Sequence, residues 1–362
     1  MRILDKYILK QVIAPFLFGV AAFSTIFISS SFLFRAAQYY TEYGASASAL
    51  TRLFFCLLPE VINYTLPMSV LLGTLLAFNN LSGNSEITAI RSSGISFRRL
   101  AAPVLLAAFG VSLFSVIWVE KVVPPAKTEY NFIVDYEIKH DTKPKTTRHI
   151  VIKSTSGENI TRLTYANMFD EVQGEMRDIT IEEFEKNQVV RIQTSPSAKW
   201  IDGTWIMDGG KVIDLTGKEG VSRVMTFSEQ VLPVVDTPKE ITLAQKPRDQ
   251  MTIGELREYM GVLEKQLQPV TKYAMEMYSR FSIPLASFFF ALIGIPLGVQ
   301  KQRQSSSMGL GISVVIIFVY YSIMTFTTGL GNGGAIPPLL AAIIPNALCG
   351  ICGLYLLHKK DA

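Results

Sequence analysis

Residues 197–210 read SAKWIDGTWIMDGG, and their pattern decides what kind of domain sits in the middle of this chain. Trp200 and Trp205 flank Asp202-Gly203, and Asp-Gly between short alternating runs is a strong local signal for a hairpin, because its second position tolerates positive φ. A second Asp-Gly, at Asp208-Gly209, predicts another turn. Moving outward on both sides, residues 150–153, 160–166, 176–184, 189–194, 211–214 and 221–227 repeat the same strand-like pattern. Together with residues 198–201 and 204–207 they predict an antiparallel all-β domain, a sandwich or jelly roll. The two tryptophans are read as core filling, and an acyl-chain slot is the alternative reading of part of that interior.

Further outward the character of the sequence changes. Residues 122–140 and 250–270 read as helical or extended connectors, the second with Met251, Leu256, Met260 and Leu263 at helical spacing. Beyond them lie long apolar stretches, residues 12–34, 53–81 and 100–119 before the β block and 281–299, 308–328 and 336–357 after it. Each is close to the roughly 20 helical residues that cross a bilayer's hydrocarbon. Pro59 and Pro67 interrupt the second, and Pro59 is expected to separate an interfacial turn from a span beginning near Val61. The first stretch is too long for a signal-peptide core and is read as a retained anchor. With 49% apolar and 18% charged residues, the 362-residue chain is a polytopic α-helical membrane protein of six spans carrying an inserted β domain. The expected division is 1–121, 122–270 and 271–362.

Orientation follows from basic residues in short loops, which resist translocation. Arg2, Lys6, Lys10, Arg91, Arg98, Arg99, Lys301, Arg303, Lys359 and Lys360 fall on one face, whereas the other has only Arg35 and Arg52 in its first loop. Both termini are therefore expected in the cytoplasm and the β domain outside it. This asymmetry accounts for the net charge of +4 without invoking nucleic acid.

Residues 84–99, NSEITAIRSSGISFRR, form a short polar helix candidate between two spans on the basic face. Glu86 suits the positive end of such a helix and Gly94 can terminate it. A solvated loop is the plain alternative. A membrane bundle without its own energy source needs a rigid element that a soluble subunit can push, and small residues such as Ala89 allow close docking. No nucleotide-binding G-x-x-x-x-G-K-[ST] run is present, and Gly217-Lys218 is followed by Glu219 instead of a hydroxyl residue. Cys349-x-x-Cys352 lies in an apolar span without a second ligand pair, and His140, His149 and His358 are scattered, so no metal site, cofactor or catalytic triad is indicated. Glu276 and Arg280, four apart at the entrance to the fourth span, pair on one helix face as a structural contact or a gate.

DKYILKQ (5–11), the run from Pro59 to Ser96, SAKWIDGTWIMDGG and EMYSRFSIPLASFFFALIGIPLGV (276–299) together resemble the LptF/LptG permeases of the lipopolysaccharide transporter. The resemblance implies that E-x-x-A-x-R-x-x-G, here Glu86, Ala89, Arg91 and Gly94, is a coupling helix seated on a cytoplasmic ATPase dimer. It implies a second permease of the same type, self or paralogue, and a periplasmic jelly-roll bridge that receives lipopolysaccharide. An anionic, multiply acylated cargo calls for basic residues at the outer rim, Arg35 and Arg52, and apolar walls, for which Phe32, Phe34, Leu66, Met68, Phe318 and Tyr321 are candidates. Interfacial anchoring and helix packing are the competing readings of these side chains. Export of another envelope glycolipid, or a β-domain scaffold that transports nothing, are the alternative functions.

Overall fold

Where the sequence is continuously apolar the chain is helical, and where it alternates it is extended. The computed structural model describes residues 3–139, 147–156, 159–171, 173–185, 188–215, 223–234, 236–266, 268–299 and 306–361. Gly217-Lys218-Glu219, His140 and the basic residues Arg2, Lys301 and Arg303 lie outside the described residues. Two compact units result, Met1–Lys139 with Thr271–Ala362, and His140–Val270.

The first unit is built from α1 (Ile3–Ser31), α2 (Leu33–Tyr43), α3 (Ala47–Gly83), α4 (Glu86–Ser92), α5 (Phe97–Lys121), α6 (Val123–Phe132) and a π-helical turn (Ile133–Ile138). After the insert come α9 (Thr271–Gly298), α10 (Ser306–Asn332) and α11 (Pro338–Asp361). Among the described residues, six helices are long and apolar enough to cross a membrane: Ile3–Tyr43, Ala47–Gly83, Phe97–Ile138, Thr271–Gly298, Gly309–Asn332 and Pro338–Lys360. α3 and α9 are the hub and bury most of their length, while α1 and α10 leave most of theirs outward. Backbone satisfaction inside the helix is what makes such elements viable in hydrocarbon.

The expected break at Pro59 does not occur. α3 runs 37 residues through both Pro59 and Pro67. Pro59 lacks the N–H that would donate to the Phe55 carbonyl, a loss that membrane helices tolerate; at the same level the Trp118 indole donates to the Pro59 carbonyl at 2.9 Å and ties α5 to α3. At about 1.5 Å per residue, α3 is roughly 55 Å long and exceeds the ~30 Å of hydrocarbon. Its first turns, the end of α1, and the π-turn extending α6 share a cluster of Phe32, Ala45, Ala49, Leu53, Ile133, Val134 and Ile138. Ion pairs of Arg52 with Glu129 (2.6 Å) and Glu137 (2.8 Å), and of Lys127 with Glu60 (2.8 Å), bind these segments into one helical stalk.

The second unit is a six-stranded antiparallel sheet in which consecutive strands pair: β1 (Thr147–Ser156), β2 (Asn159–Asp170), β3 (Glu175–Glu185), β4 (Gln188–Ile201), β5 (Thr204–Asp214) and β6 (Arg223–Leu232). Trp205 is 0% exposed, edge-to-face with Phe169 (6.1 Å) and Trp200 (5.3 Å), in a core with Ile150, Met176 and Ile179. Farther along the sheet, Arg162 and Arg191 reach Glu183 at 3.2 and 3.4 Å, and Gln230 donates to Gln193 at 3.3 Å. Two helices complete the unit, α7 (Pro238–Gln245) and α8 (Ile253–Lys265). Both start with a Thr-x-x-Glu capping box, at Thr237/Glu240 and Thr252/Glu255.

Asp208-Gly209 is not a turn. β5 continues through it, with Ser197 opposite Asp208 and Thr194 opposite Lys211. Gly209 takes the left-handed φ of 67° inside the strand, and at Gly210 a side chain would lie 2.8 Å from Cε1 of the Phe227 ring crossing it. These glycines serve a kink and a close approach, a second meaning of strand glycine that composition does not separate from a turn.

Candidate coupling and lipid-facing sites

The short helix α4 is held from one side only. Ser85 precedes it at φ 60°, and Gly94 follows it at φ 85°, a left-handed position that glycine adopts without strain. Ile87 is 3% exposed and packs among Ile8, Phe78, Leu81, Phe97, Leu100 and Ile295, so the helix is plugged into the ends of α1, α3, α5 and α9. Glu86 accepts a hydrogen bond from the Tyr7 hydroxyl at 2.7 Å and from the Asn84 amide at 3.3 Å. Asp5 and Arg99 pair at 2.8 Å, tying the start of α1 to the start of α5. The opposite face, Thr88, Ala89, Arg91, Ser92 and Ser93, is exposed, as is Gly94. A force applied to that face would pass through Ile87 and Glu86 into four spans together.

Sequence reasoning missed Tyr7, Ile87 and Asp5. The signal for Ile87 was an isoleucine directly after the first-turn acid, although Ile90 in the same short helix looks equivalent in sequence and is only partly buried. Tyr7 and Asp5 sit in DKYILKQ, but their partners lie 79 and 94 positions away (Glu86 and Arg99), beyond any local pattern. Next to them Arg98 contacts the His358 ring nitrogen at 3.0 Å, and Lys360 donates to the Val299 carbonyl.

The lipid-facing candidates separate into buried and outward groups. Phe32, Leu66 and Met68 are buried, Phe32 in the stalk cluster and Met68 against Leu71, Ala286 and Phe290. Phe34 and Phe318 are outward, 80% and 72% exposed. Tyr321 is half-buried, its hydroxyl donating to the Tyr64 carbonyl at 3.1 Å. Arg35 is exposed on α2. Arg52 has its guanidinium spread over two carboxylates, so a phosphate there would have to compete with Glu129 and Glu137.

Glu276 and Arg280 do pair, at 3.4 Å, and Arg280 is only 6% exposed. The sequence spacing did not reveal that Glu120 of α5 also faces the guanidinium, at 4.0 Å. Deeper in the bundle, Asn346 of α11 donates to the Ser282 carbonyl at 2.8 Å and accepts from Tyr320 of α10 at 3.0 Å. The Ser282 hydroxyl in turn donates to the Ala342 carbonyl.

Comparison with known proteins gives one consistent result. The family described as "Lipopolysaccharide export system permease LptF/LptG" matches residues 6–359. Curated relatives include the lipopolysaccharide export system permease protein LptG of Escherichia coli strain K12, 24% identical over 376 residues, covering 99% of this chain and 99% of the relative. The protein of the same name from Escherichia coli O6:H1 is similar to the same extent, 24% over 376 residues.

Proposed function

The chain belongs to the LptF/LptG family of lipopolysaccharide export permeases, and from that premise we propose that α4 is the lever through which a separate cytoplasmic ATPase drives it. The protein is a multi-pass inner-membrane permease subunit of the lipopolysaccharide export transporter. In our reading both termini and α4 face the cytoplasm, the β domain faces the periplasm, and a second permease completes the cavity. The cargo enters laterally, with its phosphates near Arg35 and its acyl chains against outward apolar side chains such as Phe34 and Phe318. Closure of an ATPase dimer draws the two α4 helices together, the cavity narrows, and the lipid passes to a periplasmic jelly-roll bridge. A cavity that bound the lipid equally in both states would move nothing, so closure must weaken binding.

The observation that carries this reading is the asymmetry of α4, with Ile87 locked in the bundle and Ala89, Arg91 and Gly94 presented outward. Ala89→Trp and Arg91→Glu alter only the presented face. In the full transporter reconstituted into liposomes, both are expected to leave the melting temperature of the permease unchanged and to abolish ATP-dependent release of lipopolysaccharide. Undiminished release by a variant that no longer retains the ATPase on a column would refute the lever. A scaffold that transports nothing would show no ATP-dependent release in the wild type either.

A further inference from the structure

Strand β1 is an edge of the sheet, and between it and helices α7 and α8 lies a cavity of about 180 Å³. Asp236, Glu240, Gln245, Gln266, Gln268 and Tyr259 line it. Val151, Ile152, Ile241, Ala244 and Val262 make up the rest of the lining, so carboxyl and amide groups gather on one side of a small space that borders the sheet core through Ile241. Its walls are fixed. The capping boxes hold the starts of both helices, with the Thr237 amide donating to Glu240 at 2.8 Å and the Thr252 amide to Glu255 at 2.6 Å. Lys246 ties the end of α7 to Glu255 at 2.8 Å, and the buried Trp205 indole donates to the Asp236 carbonyl at 2.9 Å.

Within this frame the Asp236 carboxyl accepts the Gln266 amide on Oδ1 at 2.8 Å, and among the described residues Oδ2 receives no hydrogen bond. Burial, and then the neighbouring Glu240, push the Asp236 carboxyl up from its ordinary value, while Gln266 opposes this. A site of that kind favours a neutral ligand that both donates and accepts. Side-chain amides add paired donors and acceptors, which a bare cation could use only in part and an acyl chain not at all. The space is many times the ~10–15 Å³ that one buried water needs, and is large enough for a small ring.

We propose that this cavity binds a sugar ring, and, resting on lipopolysaccharide as the cargo, that it is a subsite for the cargo's saccharide. Asp236 and Gln266 meet the hydroxyl groups, and the Tyr259 ring together with β1 forms the apolar side.

The test uses the full-length chain in nanodiscs and two soluble probes, the core oligosaccharide freed from lipopolysaccharide by mild acid and free glucose, followed by saturation-transfer NMR and titration. Core oligosaccharide is expected to bind, with its affinity about tenfold weaker in Gln266→Ala and lost in Ala244→Trp, whose ring would cover the opening. Circular dichroism melting establishes that both variants fold. Glucose binding alone would assign the cavity to free sugar and overturn the cargo subsite. Absence of binding by either probe, or binding that a folded Ala244→Trp retains, would overturn the site itself. Failure of the wild-type transporter to release lipopolysaccharide would instead remove the cargo reading and leave a sugar site standing.

Discussion

Gly294→Val is expected to prevent recovery of a folded membrane unit, whereas Gly311→Val and Gly329→Val should be recovered at wild-type yield. All three glycines sit in apolar helices, and composition alone would treat them alike. At Gly294 a side chain would run into Thr74 Oγ1 and stand 3.2 Å from the Leu71 carbonyl oxygen. The Thr74 hydroxyl cannot swing aside freely, since it donates to the Val70 carbonyl at 2.8 Å and lies 3.0 Å from that of Leu71. One turn on, a side chain at Gly298 would lie 2.7 Å from the Leu75 carbonyl oxygen and from Phe78 Cβ. At Gly294 the obstacle is a hydrogen-bonded hydroxyl with backbone close behind it, and at Gly298 it is backbone itself, so α3 and α9 would have to separate along their contact. Overpacking a well-filled interior costs about 1–3 kcal/mol and more where nothing yields. Close helix approach is also the main source of association in lipid, where burying apolar surface gains little. At Gly311 and Gly329 a side chain would meet nothing within 4 Å outside its own helix. Size-exclusion profiles of the fluorescently tagged chain in detergent separate the cases. A monodisperse Gly294→Val peak at wild-type height would show that the α3–α9 seam is looser than its geometry implies.

The parts legible in the sequence are those written in local periodicity. Six spans could be read because hydrocarbon demands a long uninterrupted apolar run, and a β insert could be read because strand residues alternate. The ends of α4 were marked by residues with position-specific chemistry, Glu86 in its first turn and Gly94 just beyond it. What could not be read depends on encounters between distant segments. Arg52 appeared as a bare cation until Glu129 and Glu137, carried in by the extension of α5, came within 2.6 and 2.8 Å. Phe32 and Phe34 look equivalent in sequence, yet one is in the stalk cluster and the other faces outward, because residues two apart on a helix do not share a face. Asp208-Gly209 failed as a turn signal since the same dipeptide suits a kink inside a strand. The cavity beside β1 was invisible for a different reason. Its capping boxes are readable as Thr-x-x-Glu, but the space they enclose exists only once α7, α8 and β1 converge.

The same contrast between local and distant contacts sets the outcome at Arg280, where the double variant Glu120→Gln, Glu276→Gln is expected to be destabilised by about 3–5 kcal/mol. Arg280 is 6% exposed, with Glu276 on its own helix at 3.4 Å and Glu120 on α5 at 4.0 Å. Neutralising both acids removes two carboxylates that face a buried guanidinium, and desolvation of that charge is offset less. Converting Arg280 to Met as well removes the buried charge, and the triple variant is expected to regain most of the loss, because what remains is an apolar side chain inside and two partly exposed amides that water can reach. Unfolding of the purified chain by SDS titration measures both. The pairing separates a structural role from a gate. If the cluster only joins α5 to α9, the triple variant transports lipopolysaccharide at the wild-type rate once its stability is restored. A gate requires the charges themselves, so a triple variant with restored stability and little transport would make Arg280 part of the transport cycle and refute the structural assignment.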